Sequence, residues 1–284
     1  MAAKLASKRD LHFLAEEFDF VYESGQPVPD HPPERQFIRT TFTWVDKDDN
    51  DTAYWGAIPI RKKLVTPEQF EQELKPVPDD WVYPLTDPAF TVAPSELQTS
   101  DKIFIKRPKI DLYDAARVTE ILPMAPSLFL SEIRILEILK KKPHPNIVKY
   151  HGVRVLERDG QQRITGLLLD KYPKGDLDSI EHDILLRDSI DKDVIMNGIE
   201  SAVFHLHSLG LAHNDLNPAN ILIGDKGEAV LVDFGSCEPF GEKLITGGTG
   251  GWIDESYDTS ARKHDLAALP KIEKWLQEQY QKEG

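Results

Sequence analysis

The sequence predicts an α+β fold, with strand-like and helical segments that follow a β-hairpin extension. Three observations predict this class. A short apolar strand, Ile103–Lys106, precedes a helix with an apolar stripe over residues 127–142. A second helical stripe follows Asp191, and two short apolar strands flank the turn at residues 224–227. The 284 residues, 40% of them hydrophobic, suffice for an enzyme with a substantial core or for two modest domains.

Charge and cysteine usage limit the classes of partner and compartment. The net charge of −14 disfavours nucleic acids and anionic membranes as partners, because both would repel the chain. The single cysteine, Cys237, excludes an internal disulfide and suits a reducing compartment. The N-terminal segment has no sustained apolar region, and no other stretch approaches the length of a membrane span. These observations predict an intracellular, cytoplasmic protein without a signal peptide.

Residues 1–85 form the first predicted part, an accessory segment of helix, hairpin and helix. A short helix and a proline-rich arm are expected over residues 1–35. Strand-like residues 37–60 flank an acidic loop and predict the hairpin. Thr66 then provides an N-cap, and Gln69 completes a capping box at the start of the second helix.

The segment Leu211–Gly235 carries the prediction of function. His213, Asp215 and Asn220 stand in the pattern H-x-D-x-x-x-x-N, and Asp233 opens D-F-G after two apolar strands. Phosphoryl transfer needs a carboxylate that orients the attacking hydroxyl and two oxygen-bearing side chains that hold Mg²⁺ against the phosphates. Asp215 suits the first role, and Asn220 and Asp233 suit the second. The alternative is a loop and hairpin whose polar residues only satisfy the local backbone.

This segment resembles the catalytic loop and metal-binding motif of the protein kinase superfamily. The resemblance covers residues 86–270, and it is closest to short fungal kinase-like proteins that share H-N-D-L-N-P-x-N, D-F-x-S-C and G-T-x-G-W. It implies a bilobal kinase-like fold, with an N-lobe of an antiparallel sheet plus one helix over residues 86–172 and a truncated, mostly helical C-lobe over residues 173–284. It also implies ATP and Mg²⁺ as cofactors and transfer of the γ-phosphate to a hydroxyl.

The resemblance assigns roles to further residues. Lys106 ends a strand that resembles V-A-I-K, so it would reach the α- and β-phosphates. Glu132 would hold Lys106 in an ion pair, since it lies in the earlier half of its helix as the family's pairing glutamate does. Glu137 is the alternative partner. Asp215 would be the catalytic base, and His213 belongs to the same catalytic motif.

The segment LLLDKYPKGDL resembles the hinge of a kinase, where free backbone groups pair with adenine. Leu169 would guard the back of the pocket, and the Asp170 carbonyl and Tyr172 amide would bind the adenine edge. Asp176 would lie near the ribose. The alternative is an ordinary linker between a strand and a helix, with Gly175 as its turn residue.

Three departures from the family pattern bear on activity. Residues 88–100 contain no glycine, although the family has there a loop whose backbone amides approach the phosphates. Losing two such hydrogen bonds would weaken nucleotide binding by about a hundredfold to ten-thousandfold. Asn214 replaces an arginine that meets a phosphorylated loop, which predicts a constitutive site. Asn217 replaces a lysine that choline- and aminoglycoside-type phosphotransferases also lack.

These departures leave several hypotheses open. The leading one is a phosphotransferase of the Ser/Thr type, acting on a protein hydroxyl or on a small-molecule hydroxyl. The second is a pseudokinase scaffold, and a third is transfer of another group such as AMP. Asp265, on a last helix over residues 262–281, would brace the catalytic loop or else be a surface charge. A homodimer or a partner would cover the surface of the truncated C-lobe.

Overall fold

The computed structural model describes residues 7–8, 11–20, 35–47, 49, 51–110, 113, 124–254 and 257–281. These residues fall in two units. The first unit lies within Met1–Pro84, Pro108–Pro126 and Leu156–Arg163, and the second lies within Leu85–Arg107, Ser127–Val155 and Ile164–Gly284. The α+β class predicted from the sequence is confirmed. The predicted division of the later residues at position 172 stays a prediction.

The first unit contains a four-stranded sheet in the order β1-β2-β3-β4. Its strands are β1 (Phe13–Phe20), β2 (Arg35–Asp46), β3 (Thr52–Ile58) and β4 (Lys75–Pro76). Strands β2 and β3 pair antiparallel, which confirms the predicted hairpin.

The expectation of a helix before residue 35 is wrong for Phe13–Phe20. This segment pairs antiparallel with β2, and Phe18 packs edge-on against Phe37 at 6.1 Å between ring centroids. Backbone pairing with a distant strand outweighs the local helical preference of the sequence. Most of the expected proline-rich arm lies outside the described residues.

Helix α1 (Pro67–Glu73) begins where the capping residues predict it. The Thr66 side chain accepts a hydrogen bond from the Gln69 backbone, and the Gln69 side chain accepts one from the Thr66 backbone. Phe70 is the buried residue of this short helix, and its ring lies 4.6 Å from that of Phe42 on β2. The helix is therefore held by its cap and by the packing of Phe70 in an apolar cluster with residues of the sheet.

The second unit contains a three-stranded sheet in the order β5-β7-β6. Its strands are β5 (Ile103–Lys106), β6 (Tyr150–Arg158) and β7 (Gln161–Asp170). Strands β5 and β7 are antiparallel, with Ile103 opposite Asp170 and Lys106 opposite Leu167. The turn between β6 and β7 belongs to the first unit, where Arg158 pairs with Asp79 at 2.6 Å.

Helices and short strand pairs make up the remainder of the second unit. The helices are α2 (Met124–Lys141), α3 (Ile184–Asp188), α4 (Lys192–Ser208) and α5 (Arg262–Gln281). The short strands are β8 (Leu211–Ala212), β9 (Ile221–Ile223), β10 (Ala229–Leu231) and β11 (Glu238–Pro239), which pair antiparallel as β9 with β10 and β8 with β11. Among the described helices, none has the length and apolar character needed to cross a membrane.

The apolar stripes of α2 and α4 contribute to one continuous core. Asp191 caps α4 by accepting hydrogen bonds from the backbone of Asp193 and Val194, as its position predicts. The stripe residues of α4 are all buried: Ile195, Ile199, Val203 and Leu206. The core thus fixes α2 and α4 against the strands on which the candidate site lies.

Candidate active site

The side-chain amine of Lys106 lies between two carboxylates. Its Nζ is 2.6 Å from Oε1 of Glu132 and 3.0 Å from Oδ1 of Asp233. Burial alone would lower the pKa of the Lys106 ammonium, but the charges of Glu132 and Asp233 hold that pKa above its ordinary value. The amine therefore stays charged, and it connects β5, α2 and the D-F-G segment.

Glu137, the alternative partner of Lys106, faces another part of the unit. Its carboxylate accepts hydrogen bonds from the backbone and hydroxyl of Thr91 at 2.7 and 2.9 Å, and from the Tyr150 hydroxyl at 3.1 Å. Glu132 and Glu137 are five residues apart, so they do not lie on the same face of α2. Glu137 instead fastens the segment that precedes β5 to this helix.

The D-F-G segment adopts an uncommon backbone conformation. Asp233 has φ of 59°, in the left-handed region, and its carboxylate accepts a hydrogen bond from the Gly235 backbone at 3.3 Å. Aspartate tolerates this region better than most residues, because its side chain can bond to nearby backbone. Phe234 is buried, with its ring 5.3 Å from that of His213. The conformation turns the Asp233 carboxylate towards Lys106.

The carboxylate of Asp215 is surrounded by hydrogen-bond donors. Its Oδ1 accepts from the backbone and the hydroxyl of Thr249, both at 2.7 Å, and from Nδ2 of Asn217 at 3.1 Å. Asn220 donates to Oδ2 at 3.2 Å and to the Asp215 carbonyl at 2.8 Å. These donors fix the orientation of the carboxylate.

Asp265 braces the catalytic loop from α5. Its carboxylate is fully buried and accepts hydrogen bonds from the backbone of His213 at 2.9 Å and of Asn214 at 2.8 Å. It also lies 2.8 Å from the ring of His207. The reading of Asp265 as a surface charge is therefore wrong.

The His213 ring connects the catalytic loop to the residue before the D-F-G segment. Its ring is fully buried, and Nε2 lies 3.0 Å from the Val232 carbonyl, directly before Asp233. The ring thus ties the H-x-D motif to the D-F-G segment. Because it is withdrawn from the surface, it supports the site through neighbouring residues.

The hinge-like segment presents a buried Leu169 at the end of β7. The Asp170 carboxylate lies 2.6 Å from the ring of His151. Burial and the nearby carboxylates raise the pKa of Tyr172 to about 12. Asp176 caps the 3₁₀ helix Leu177–Glu181 through one oxygen, Oδ1, which accepts hydrogen bonds from Ser179. The adenine and ribose roles of these residues stay predictions.

The segment before β5 does not form a β-hairpin. Residues 85–102 are all described, and they contain an isolated parallel bridge between Val92 and Val153 and the 3₁₀ helix Ser95–Thr99. The Ala93 backbone donates to the Val153 carbonyl at 2.9 Å. The phosphate-covering loop of the resembled family therefore has no counterpart in the described part of this segment.

Comparison with known proteins identifies the family. Residues 109–250, half of the chain, match the family model of the protein kinase domain. The chain belongs to the protein kinase family. Its predicted kinase-like fold is thereby confirmed.

Several curated kinases are similar to this protein kinase over part of their length. Serine/threonine-protein kinase 16 of Mus musculus is 39% identical over 100 residues, which cover 33% of this chain and 32% of that protein. MAP kinase kinase kinase SSK2 of Saccharomyces cerevisiae is 30% identical over 141 residues, covering 50% and 8%. Serine/threonine-protein kinase/endoribonuclease IRE2 of Homo sapiens is 32% identical over 151 residues, covering 49% and 16%. The chain thus spans a third or less of these relatives.

Sequence reasoning about this kinase missed two functional neighbours of Asp215. Thr249 lies in the motif G-T-x-G-W, and both its backbone N–H and its hydroxyl donate to the Asp215 carboxylate. From the sequence, Asn217 was noted only as the replacement of a lysine that the family has at this position. In the structure its side-chain amide contacts both Asp215 and the Thr249 hydroxyl. The motif does contain a hydroxyl residue, Thr249. Its contact with Asp215 could not be predicted from the local sequence, because the two residues are 34 positions apart.

Proposed function

We propose that this protein kinase is an active phosphotransferase that uses ATP and Mg²⁺ to phosphorylate a serine or threonine hydroxyl. One observation carries the proposal. The Lys106 amine contacts both Glu132 and Asp233, so a permanent cation lies beside a carboxylate that suits a metal ion. This is the pairing that a phosphoryl-transfer site needs for the phosphates and for their counter-ion.

Asn220 and Asp233 would hold Mg²⁺, and their local contacts agree with that role. The Asn220 amide nitrogen donates to Asp215, which leaves its amide oxygen as the atom for a cation. Mg²⁺ prefers oxygen ligands and keeps only one or two from protein carboxylates when it binds with phosphates. Among the described residues, no group of three or more His, Cys, Asp and Glu side chains could hold a metal ion. One amide and one carboxylate suit a metal ion that arrives with phosphates.

Asp215 is suited to act as the base. Bound ATP would supply the γ-phosphoryl group, and Mg²⁺ would offset the negative charge of the phosphates. The Asp215 carboxylate would orient the acceptor hydroxyl and take its proton as the hydroxyl oxygen bonds to the γ-phosphorus. The bond from that phosphorus to the β,γ-bridging oxygen would break at the same time, and ADP would leave with the electron pair. It already accepts a hydroxyl hydrogen bond from Thr249 at 2.7 Å, which shows that a hydroxyl fits against it. Lys106 would bind the phosphates, held in place by Glu132.

The test is transfer of labelled phosphate from Mg²⁺-bound ATP. Wild-type protein should label itself or a generic protein acceptor, and Asp215→Asn should lose at least about 10²-fold in rate, because the amide cannot accept the proton. Asp225→Asn, on the exposed turn between β9 and β10, is the matched control and should retain the wild-type rate. If the wild-type and Asp215→Asn proteins behave identically, the proposed function is wrong.

The acceptor class is tested separately. The Asn217 amide contacts both Asp215 and the Thr249 hydroxyl, so Thr249 anchors the segment that follows D-F-G beside the base. A segment so placed supports an extended polypeptide acceptor over a small alcohol. Parallel screens of peptide and metabolite acceptors with labelled ATP divide the two classes. Labelling confined to small alcohols would refute the Ser/Thr assignment.

A second candidate is a binding module that does not turn ATP over. The observation that favours it is the segment at residues 85–102, which lacks both a hairpin and a glycine before Lys106. Calorimetry with Mg²⁺-bound ATP separates the candidates when it is combined with the transfer assay. Binding without any label transfer would favour the binding module, and transfer in the wild type would exclude it.

A further inference from the structure

Asn214 is the most highly connected polar side chain of the catalytic loop. It is buried, with 1% of its surface exposed, and it lies between Ala212 and the segment that follows D-F-G. Its Nδ2 lies 2.9 Å from the Ala212 carbonyl, 3.0 Å from the Ser236 carbonyl and 3.0 Å from the Ser260 hydroxyl. One amide therefore joins the catalytic loop to both ends of residues 236–260.

The side-chain oxygen of Asn214 also has hydrogen-bond partners. The Asn214 Oδ1 accepts from the Ala261 backbone at 3.3 Å and lies 3.0 Å from Nδ1 of His264 at the start of α5. The hydroxyl of Ser260 in turn donates to the Glu238 carbonyl on β11 at 2.8 Å. A buried amide with both ends satisfied holds its neighbours in one arrangement, because each broken bond would leave a polar group unpaired.

The backbone of Asn214 takes part in the same network. Its φ is 62°, in the left-handed region, which asparagine tolerates better than most residues. Its carbonyl accepts a hydrogen bond from the Tyr257 hydroxyl at 2.5 Å, and the Tyr257 ring stacks on His264 at 3.5 Å. Its backbone N–H donates to Asp265. Since Asp215 follows directly in the chain, this network fixes the peptide that carries the catalytic carboxylate.

We propose that Asn214 is a positioning residue, which locks residues 236–254 and 257–261 onto the catalytic loop and so orients Asp215 without any phosphate group. The contacts of its side chain are to carbonyl, hydroxyl and amide groups and to an imidazole ring, all of which the unmodified chain supplies. The catalytic part of this inference rests on the proposed function. The locking part concerns the fold alone, so it can be tested without turnover.

The backbone conformation indicates which variants to make. Asn214→Gly removes the side chain and keeps the left-handed backbone unstrained. Asn214→Asp keeps the shape of the side chain but turns a carboxylate oxygen towards the Ala212 and Ser236 carbonyls. This variant replaces Asn214→Gly in both tests if the glycine variant does not fold. Asp159→Gly is the matched control, because Asp159 is also a left-handed residue, at φ of 49°, in an exposed turn.

Hydrogen exchange measures the lock directly in the full chain. Backbone amides over residues 236–254 and 257–261 should exchange about tenfold faster in Asn214→Gly than in Asp159→Gly or the wild type. Equal exchange in the Asn214→Gly and Asp159→Gly proteins overturns the proposal, whatever their activity. Faster exchange in Asn214→Gly, found together with a wild-type protein that transfers no label, supports the lock and refutes the proposed function.

Kinetics then test the positioning of Asp215. Asn214→Gly should lower kcat at least about tenfold, equivalent to about 1.4 kcal/mol, with the KM for ATP within about threefold of wild type. Phosphatase treatment should leave the kcat of the wild type unchanged. A kcat equal to that of Asp159→Gly, or a wild-type activity abolished by phosphatase, contradicts the inference.

Discussion

Two ionisable side chains that are largely withdrawn from water, Lys106 and Asp265, hold the candidate site together. The Lys106 amine contacts the carboxylates of Glu132 and Asp233. The Asp265 carboxylate accepts hydrogen bonds from two backbone N–H groups of the catalytic loop. Each is satisfied by specific partners, as a buried charge must be. The pairing of Lys106 with Glu132 was predicted from the resemblance. The network around Asn214 was not predicted, because its hydrogen bonds join residues up to 51 positions apart in the chain.

The Lys106–Glu132 pair should matter for the rate more than for folding. Glu132→Gln removes one of the two charges that position the amine, and we expect kcat/KM for ATP to fall about 10²-fold, or about 2.7 kcal/mol. Glu200→Gln, on the exposed face of α4, is the control and should be neutral. Steady-state kinetics of both variants check this, and a Glu132→Gln value within threefold of wild type would show that the pair is dispensable.

Tyr257 should give the protein a defined response to alkaline pH. Burial and the nearby charges of Asp215 and Asp265 raise the pKa of Tyr257 to about 12 in the folded state, against about 10 when unfolded. The neutral hydroxyl therefore stabilises the fold fully below pH 10, and this contribution is lost as the pH rises through 12. Urea unfolding of the wild type and Tyr257→Phe should show a stability difference that shrinks over this window. A difference that stays constant from pH 8 to 12 would contradict the assignment.

At the scale of elements, local sequence patterns were sufficient to predict the helices whose starts depend on contacts between neighbouring residues. The cap at Asp191 and the apolar stripe of α4 predicted that helix, and Thr66 with Gln69 predicted the start of α1. Strand β1 was missed because its partner, β2, begins 15 residues after β1 ends. The bridge between Val92 and Val153 was missed for the same reason. No local pattern encodes such pairings, since they depend on which distant segments meet.

The capping box of α1 can be tested within its own element. Thr66→Ala removes the hydroxyl that accepts from Gln69 and should lower the free energy of unfolding by about 1 kcal/mol. Thr66→Ser keeps the hydroxyl and should stay close to wild type. Urea titration followed by circular dichroism measures both. Equal losses for the alanine and serine variants would mean that the hydroxyl contributes nothing to stability.

At the scale of the whole molecule, the chain combines a protein kinase domain with a first unit that has its own sheet and apolar cores. The partner predicted to cover the C-terminal half stays a prediction. Large apolar side chains are exposed on helices of the second unit, namely Leu185, Phe204 and Leu266. The net charge of −14 still disfavours polyanionic partners.

Binding of Mg²⁺ and ATP should stabilise the chain by mass action. At ten times the Kd the gain is about 1.4 kcal/mol, which should raise the Tm by about 2–4 °C. Because the segment before Lys106 contains no glycine, we expect that millimolar ATP is needed for this rise in Tm. EDTA should abolish the rise, because Asp233 and Asn220 would lose their metal ion. A calorimetric scan measures this, with Asp233→Asn as the variant that should lose the shift. No shift in the wild type at millimolar concentration would count against nucleotide binding.

We propose that Lys106, Asn220 and Asp233 converge on one metal-bound triphosphate within reach of Asp215. A crystal structure with Mg²⁺ and a non-hydrolysable ATP analogue tests it most directly. We predict the Lys106 amine on the phosphate oxygens, Mg²⁺ between Asn220 and Asp233, and the Asp215 carboxylate facing the terminal phosphate. A nucleotide bound elsewhere on the molecule, or a metal ion that contacts neither Asn220 nor Asp233, would contradict the account.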